Sequence, residues 1–207
     1  MRPGVDVEVF GLKNRTDLNA LSGTLMKFEN ERWNVVMTVS RERCRIKEEN
    51  LKIINSDRLK HVDSGLDVAK NNLLQESYLL SVVIPYSHDQ AHTVIGVKPE
   101  DDDDSNLGLS IAKVAKRFVN TTTHMVIIAD IWLAVGDENY KGERARNMQS
   151  KREAIGVWLH EPKGVLMKHV FYNRDKDENV VSFEEASENW VPFDDKTCSG
   201  NLSNVYC

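Results

Sequence analysis

The chain has 207 residues, 41% of them hydrophobic and 29% charged, with a formal net charge of −5. That length suffices for one large or two small domains whose core needs neither disulfides nor metals, and no run reads as a bilayer span or a secretory leader. The three cysteines, Cys44, Cys198 and Cys207, are odd in number and far apart, which argues against a disulfide framework and against a Cys-x-x-Cys metal pair and makes the cytoplasm, or else the nucleus, the expected compartment.

From Val5 to Ile54 the apolar segments are short and recur about every ten residues, separated by turn-forming sequence, which predicts a small all-β unit over residues 1–56. The first segment alternates cleanly: Val5, Val7 and Val9 fall on one face, Asp6 and Glu8 on the other. Further strands are expected at 23–28, 32–39, 44–47 and 51–54. In Arg41-Glu-Arg-Cys-Arg-Ile-Lys47 a cation occupies every second position, so a strand here projects Arg41, Arg43, Arg45 and Lys47 from one face while Cys44 and Ile46 face a core. This basic stripe is the candidate binding surface.

Val9-Phe-Gly-Leu12, Leu18-Asn-Ala-Leu-Ser-Gly-Thr24, Arg32-Trp-Asn-Val35 and Arg45-Ile-Lys-Glu-Glu-Asn-Leu51 resemble the small SH3-like barrels of algal and protist multidomain proteins, where such modules stand beside ankyrin repeats or MYND-type fingers. The resemblance covers about a quarter of the chain and implies a barrel with an interaction role and no catalytic residues. Ala20 stands where the pattern usually carries glycine, and Gly23 is the nearby residue able to supply a positive φ. The acidic and aromatic groove of peptide-binding SH3 domains is missing, so proline-rich ligands are not implied.

Polar residues 55–65 read as a linker, and an α+β domain is expected over residues 62–207. Val62, Leu66, Ala69 and Leu73 are spaced for a helix ending near Ser77. Strands follow at 78–84 and 93–97, with Pro85 at a strand end or edge because it cannot donate to a ladder. After the acidic loop Pro99 to Ser105, apolar residues Leu107, Ile111, Val114, Ala115 and Phe118 form a helical face, and His124 to Val135 is the longest apolar run, the expected central strand. Strands at 154–159 and 165–172 flank the turn Glu161-Pro-Lys-Gly164; a short one at 180–183 follows, and Trp190 is expected to fold the tail back. The predicted fold class is α+β: a small SH3-like β-barrel, then a mainly antiparallel sheet covered by two helices on one side. Ala129-Asp-Ile-Trp132 and Arg152-Glu-Ala154 also loosely resemble an uncharacterised bacterial family, which offers no activity to carry over.

Asp130 is the most unusual residue, because a carboxylate inside a buried strand must be paired, protonated or turned to a wetter face. Beside Arg152 and Glu153 it could form a general acid/base pair; period two also allows it to cap a neighbouring arginine. His88 and His92 bracket Asp89 and offer a weak metal set with no third imidazole or thiol nearby; His160, Glu161 and His169 lack metalloprotease spacing, and Asp101 to Asp104 lack the spacing of a calcium loop. Nucleotide-loop and nucleophile-elbow motifs are absent from the sequence.

The reading that results is a non-catalytic, soluble interaction or adaptor protein with no cofactor. The alternative is a hydrolase that uses the carboxylates of the second domain. Residues 1–60 hold 12 Lys and Arg against 9 Asp and Glu, while residues 61–207 hold 15 against 23. The basic stripe is therefore expected to meet an acidic protein partner, or the chain's own loop Glu100 to Asp104, in preference to nucleic acid.

Overall fold

The computed structural model describes residues 1–87, 90–98, 107–134 and 151–192. The first sheet contains β1 (Asp6–Val9), β2 (Ser22–Glu29), β3 (Arg32–Met37), β4 (Arg43–Ile46) and β5 (Leu51–Asn55), in the spatial order β4-β3-β2-β1-β5 with every pair antiparallel. Tight turns set this meander. Asn30 and Glu31 both take positive φ, +48° and +60°, as a two-residue turn between right-twisted strands demands. Ala20, at the position where the resemblance has glycine, itself adopts φ +64°, whereas Gly23 lies in β2. Gly23 has a packing reason instead: a Cβ there would stand 2.6 Å from Val35 Cγ1. Strands β4 and β5 are the two ends of the sheet and do not pair, so the barrel is not closed.

The expected linker is much shorter than residues 55–65. After β5 only three residues intervene before α1 (Leu59–Glu76), which ends on Ser77 in the left-handed region at φ 58°. Polar composition hid the first turns of this helix, because Lys60, Asp63 and Ser64 lie on faces other than the one carrying buried Leu59, Val62, Leu66, Ala69 and Leu73.

The second sheet is built from β6 (Ser81–Ser87), β7 (Gln90–Ala91), β8 (Ile95–Val97), β9 (His124–Ala134), β10 (Lys151–Glu161), β11 (Gly164–Arg174), β12 (Val180–Phe183) and β13 (Ser187–Pro192), with α2 (Leu107–Lys116) between β8 and β9. Its order is β12-β11-β10-β9-β6-β7, all antiparallel; β13 shares the outer edge of β11 with β12, and β8 shares that of β6 with β7. Pro85 lies inside β6 rather than at its end. Its carbonyl accepts from the His92 amide, so the side that lacks an N–H faces the gap between β8 and β7, where no ladder bond is lost.

The helices lie on opposite faces of this sheet, not on one side. On β9, Val126 and Ile128 join the cluster that holds α1, and Met125, Ile127 and Ala129 join the one that holds Ile111, Ala112 and Ala115 of α2. Period-two alternation on a strand apolar on both faces requires two covering layers. The α1 cluster continues without a break into the core of the first sheet, through Val5, Val7, Leu59, Leu66, Leu166 and Trp190.

Candidate functional site

Strand β4 carries the basic stripe in part. Cys44 and Ile46 are buried, and Arg43 and Arg45 are exposed on the other face, the alternation a half-buried edge strand requires. Arg41 is not on the strand: it occupies the turn after β3 with φ +58°. Lys47 continues the extended chain past β4 and pairs with Glu49 at 3.5 Å.

A groove of about 420 Å³ runs beside β4, between it and residues 12–18. Five cations line it (Lys13, Arg15, Arg32, Arg43 and Arg45) against the single carboxylate of Glu42, while Leu12, Leu18, Cys44 and Ile46 supply apolar surface. Arg15 bridges the two walls, 2.9 Å from Asp17 and 3.1 Å from Glu42, and its hydrogen bonds hold both carboxyls below their usual range. Burial raises the Cys44 thiol, with Glu42 adding to it, and the side chain packs in the core of the first sheet. Sequence alternation revealed Arg43 and Arg45. Lys13 and Arg15 escaped it because the opposite wall is brought in by tertiary structure, and Arg32 because it begins the neighbouring strand β3.

Asp130 and Glu153 converge on one group. The Tyr172 hydroxyl donates to Asp130 Oδ1 at 2.8 Å and lies 3.3 Å from Glu153 Oε1, and the Arg174 guanidinium bonds Glu153 at 3.1 Å and the Ser77 carbonyl at 2.9 Å. Burial raises the Asp130 carboxyl above its usual range; the tyrosine hydrogen bond opposes this and the Glu153 charge adds to it. Arg152 is not part of this cluster: it stacks 4.4 Å over Phe171 and pairs with Glu184 on the other face. Hydrogen bonds among these four groups tie the end of α1 to β9, β10 and β11.

Of the weak metal set, His88 lies outside the described residues, as does Asp89; His92 is exposed and shares a hydrogen bond with Ser87 Oγ. The acidic residues 100–104 also lie outside them. Among the described residues no group of three His, Cys, Asp or Glu side chains is arranged to hold a metal ion, and no helix is long and apolar enough to cross a membrane. His160 is fully buried, which pushes its imidazole down to about 4; His169 is lowered by burial as well.

Two further polar clusters had no signal in the sequence. At the seam between the sheets, Arg58 lies 3.1 Å from Asp6 and 2.8 Å from Glu161, and Lys163 lies 2.5 Å from Asp6. These residues line a cleft of about 400 Å³ with His124 and Thr123. Burial raises the Glu161 carboxyl against the pull of Lys163 and Arg58. Beside it, His61 Nδ1 and His124 Nε2 are 3.0 Å apart, and Tyr86 stacks on both rings. The opposite charges of the seam are matched inside the protein, which makes it a fastener between sheets, whereas the β4 groove keeps an excess of one sign.

Searches with family models, among curated proteins and among solved structures find no match to this chain.

Proposed function

We propose that this chain is a non-catalytic interaction protein of the cytoplasm or nucleus, whose first sheet is an SH3-like barrel in open form and whose basic groove receives an acidic segment of a partner protein. The single observation that carries the reading is the groove itself, with five lining cations against the carboxylates of Glu42 and the adjoining Asp17, beside a sheet edge that no described strand covers. A meander whose last strand returns to pair with the first supports the SH3-like assignment. An acidic peptide is favoured over nucleic acid because the remainder of the chain carries net negative charge, which repels a phosphate backbone extending past the groove.

Fluorescence anisotropy with a labelled Glu-rich peptide and a labelled single-stranded DNA of equal charge tests this. The peptide is expected to bind more tightly, with affinity falling as salt rises, and reversal of Arg43 and Arg45 to Glu should weaken it by roughly tenfold or more, about 1.4 kcal/mol. Equal binding by wild type and double variant, both folded by circular dichroism, would remove the groove from the function. The hydrolase alternative rests on the meeting of Asp130 and Glu153 at Tyr172; ester or peptide hydrolysis that Asp130→Asn abolishes without unfolding would favour it instead.

A further inference from the structure

The peptide groups of β4 add a direction to the charge of its groove. The Met37 amide donates to the Glu42 carbonyl at 2.9 Å, which makes these two residues a hydrogen-bonded pair across β3 and β4. The register continues as Val35 opposite Cys44 and Trp33 opposite Ile46. Because such pairs alternate along an antiparallel ladder, Cys44 and Ile46 turn their peptide groups toward β3, and Arg43 and Arg45 turn theirs to the outer edge. The residues whose main chain faces outward are thus the same ones whose side chains are cationic. Across the groove stand Lys13 and Arg15, and Leu12 and Leu18 with Ile46 supply apolar surface on the core side.

We propose that the acidic partner enters this groove as an added antiparallel β-strand, its residues alternating between acidic and apolar; this rests on the interaction reading above and specifies its mode. Directly opposed residues of an antiparallel pair project side chains to the same face. A partner residue hydrogen-bonded to Arg45 is therefore on the arginine side and acidic, and its neighbours turn toward the apolar wall. Four residues of such a strand run ~13 Å along β4, at a lateral spacing of ~4.8 Å. Antiparallel addition follows the first sheet, in which every pair is antiparallel. Charge on an edge strand also serves to keep other strands away. A purely protective charge needs no cationic loop on the opposite wall, and it predicts that an alternating acidic strand does not bind.

The probe is a synthetic ten-residue peptide of alternating Glu and Val with blocked ends, compared with two versions, one N-methylated on the Glu residues and one on the Val residues. In the proposed pairing the amides that face β4 belong to the Glu residues. Methylation there should weaken binding at least roughly tenfold, and methylation of the Val residues should leave affinity within about twofold. Equal affinity of all three peptides, still lost in Arg45→Glu, overturns strand addition while the charge-based reading stands. Failure of the unmethylated peptide to bind, or binding indifferent to Arg45→Glu, overturns both. Concentration-dependent dimerisation of the free protein that Arg45→Glu abolishes would make a second copy of this chain the occupant and also overturn the proposal.

Discussion

Replacing Arg58 with methionine removes the cation at the centre of the seam and should cost about 3 kcal/mol of stability. Its guanidinium lies 3.1 Å from Asp6 and 2.8 Å from Glu161 and donates to the Gly4 carbonyl at 2.7 Å, and the side chains of Arg58 and Glu161 are 8% and 7% exposed. Removing one partner of a buried pair typically costs about 3–5 kcal/mol, because the other charge stays buried and uncompensated. The lower end applies here, since Lys163 still stands 2.5 Å from Asp6 and 3.8 Å from Glu161. The sign of the pH dependence follows from Glu161. Burial already raises its folded pKa, so the fold favours its neutral form, a contribution present at low pH and lost as pH rises through the raised value. Without Arg58 that value rises further, so the penalty is smallest near the usual carboxylate range and grows toward neutral pH. Urea unfolding followed by tryptophan fluorescence reads the effect from both sheets, Trp33 in the first and Trp158 and Trp190 in the second. The double variant Arg58→Met with Glu161→Gln should recover more than half of the loss at pH 7. A loss below about 1 kcal/mol, or a double variant no more stable than the single one, would refute the assignment of the seam as a buried charge network.

Ala20→Gly should stabilise the protein by about 0.5–1 kcal/mol in the same assay, because alanine at φ +64° carries a left-handed cost that glycine escapes, less the extra unfolded-state entropy of glycine. Gly164→Ala should destabilise by about 1–3 kcal/mol: its Cβ would lie 2.6 Å from both the Val191 carbonyl oxygen and the Trp190 ring, and the backbone there cannot yield cheaply. The His160 imidazole should titrate near 4 by NMR, against an ordinary value of 6.5. Since the lowered value favours the neutral ring, the associated stability, about 3 kcal/mol, is complete above pH 6.5 and is lost as pH falls toward 4, and His160→Phe should flatten that loss. Limited trypsin digestion should spare the peptide bond after Arg58, whose side chain is buried in the seam, and early cleavage there would contradict the packing of α1 onto both sheets.

The strands of the first sheet and the existence of both helices were legible in the sequence because their signals are local. Val5, Val7 and Val9 alternate, Val62, Leu66, Ala69 and Leu73 recur at helical spacing, and Cys44 and Ile46 lie between arginines, so each pattern records which face is buried before any partner is known. The continuous apolar run of β9 also carried a message that one-sided helices could not satisfy, since burial on both faces needs a layer on each. The sidedness of α1 and α2, the continuity of the core between the sheets and the placement of residues 12–18 across from β4 depended on tertiary structure. The same is true of Asp130, which the sequence singled out for being charged within an apolar run, but whose partner Tyr172 lies two strands away on β11. Arg58 and Glu161 are more than a hundred residues apart and occur in segments that read as linker and turn, with no periodicity of their own. Periodicity records burial along one element; the pairing of charges across elements is set by how the sheets pack, and one-dimensional patterns hold no record of that.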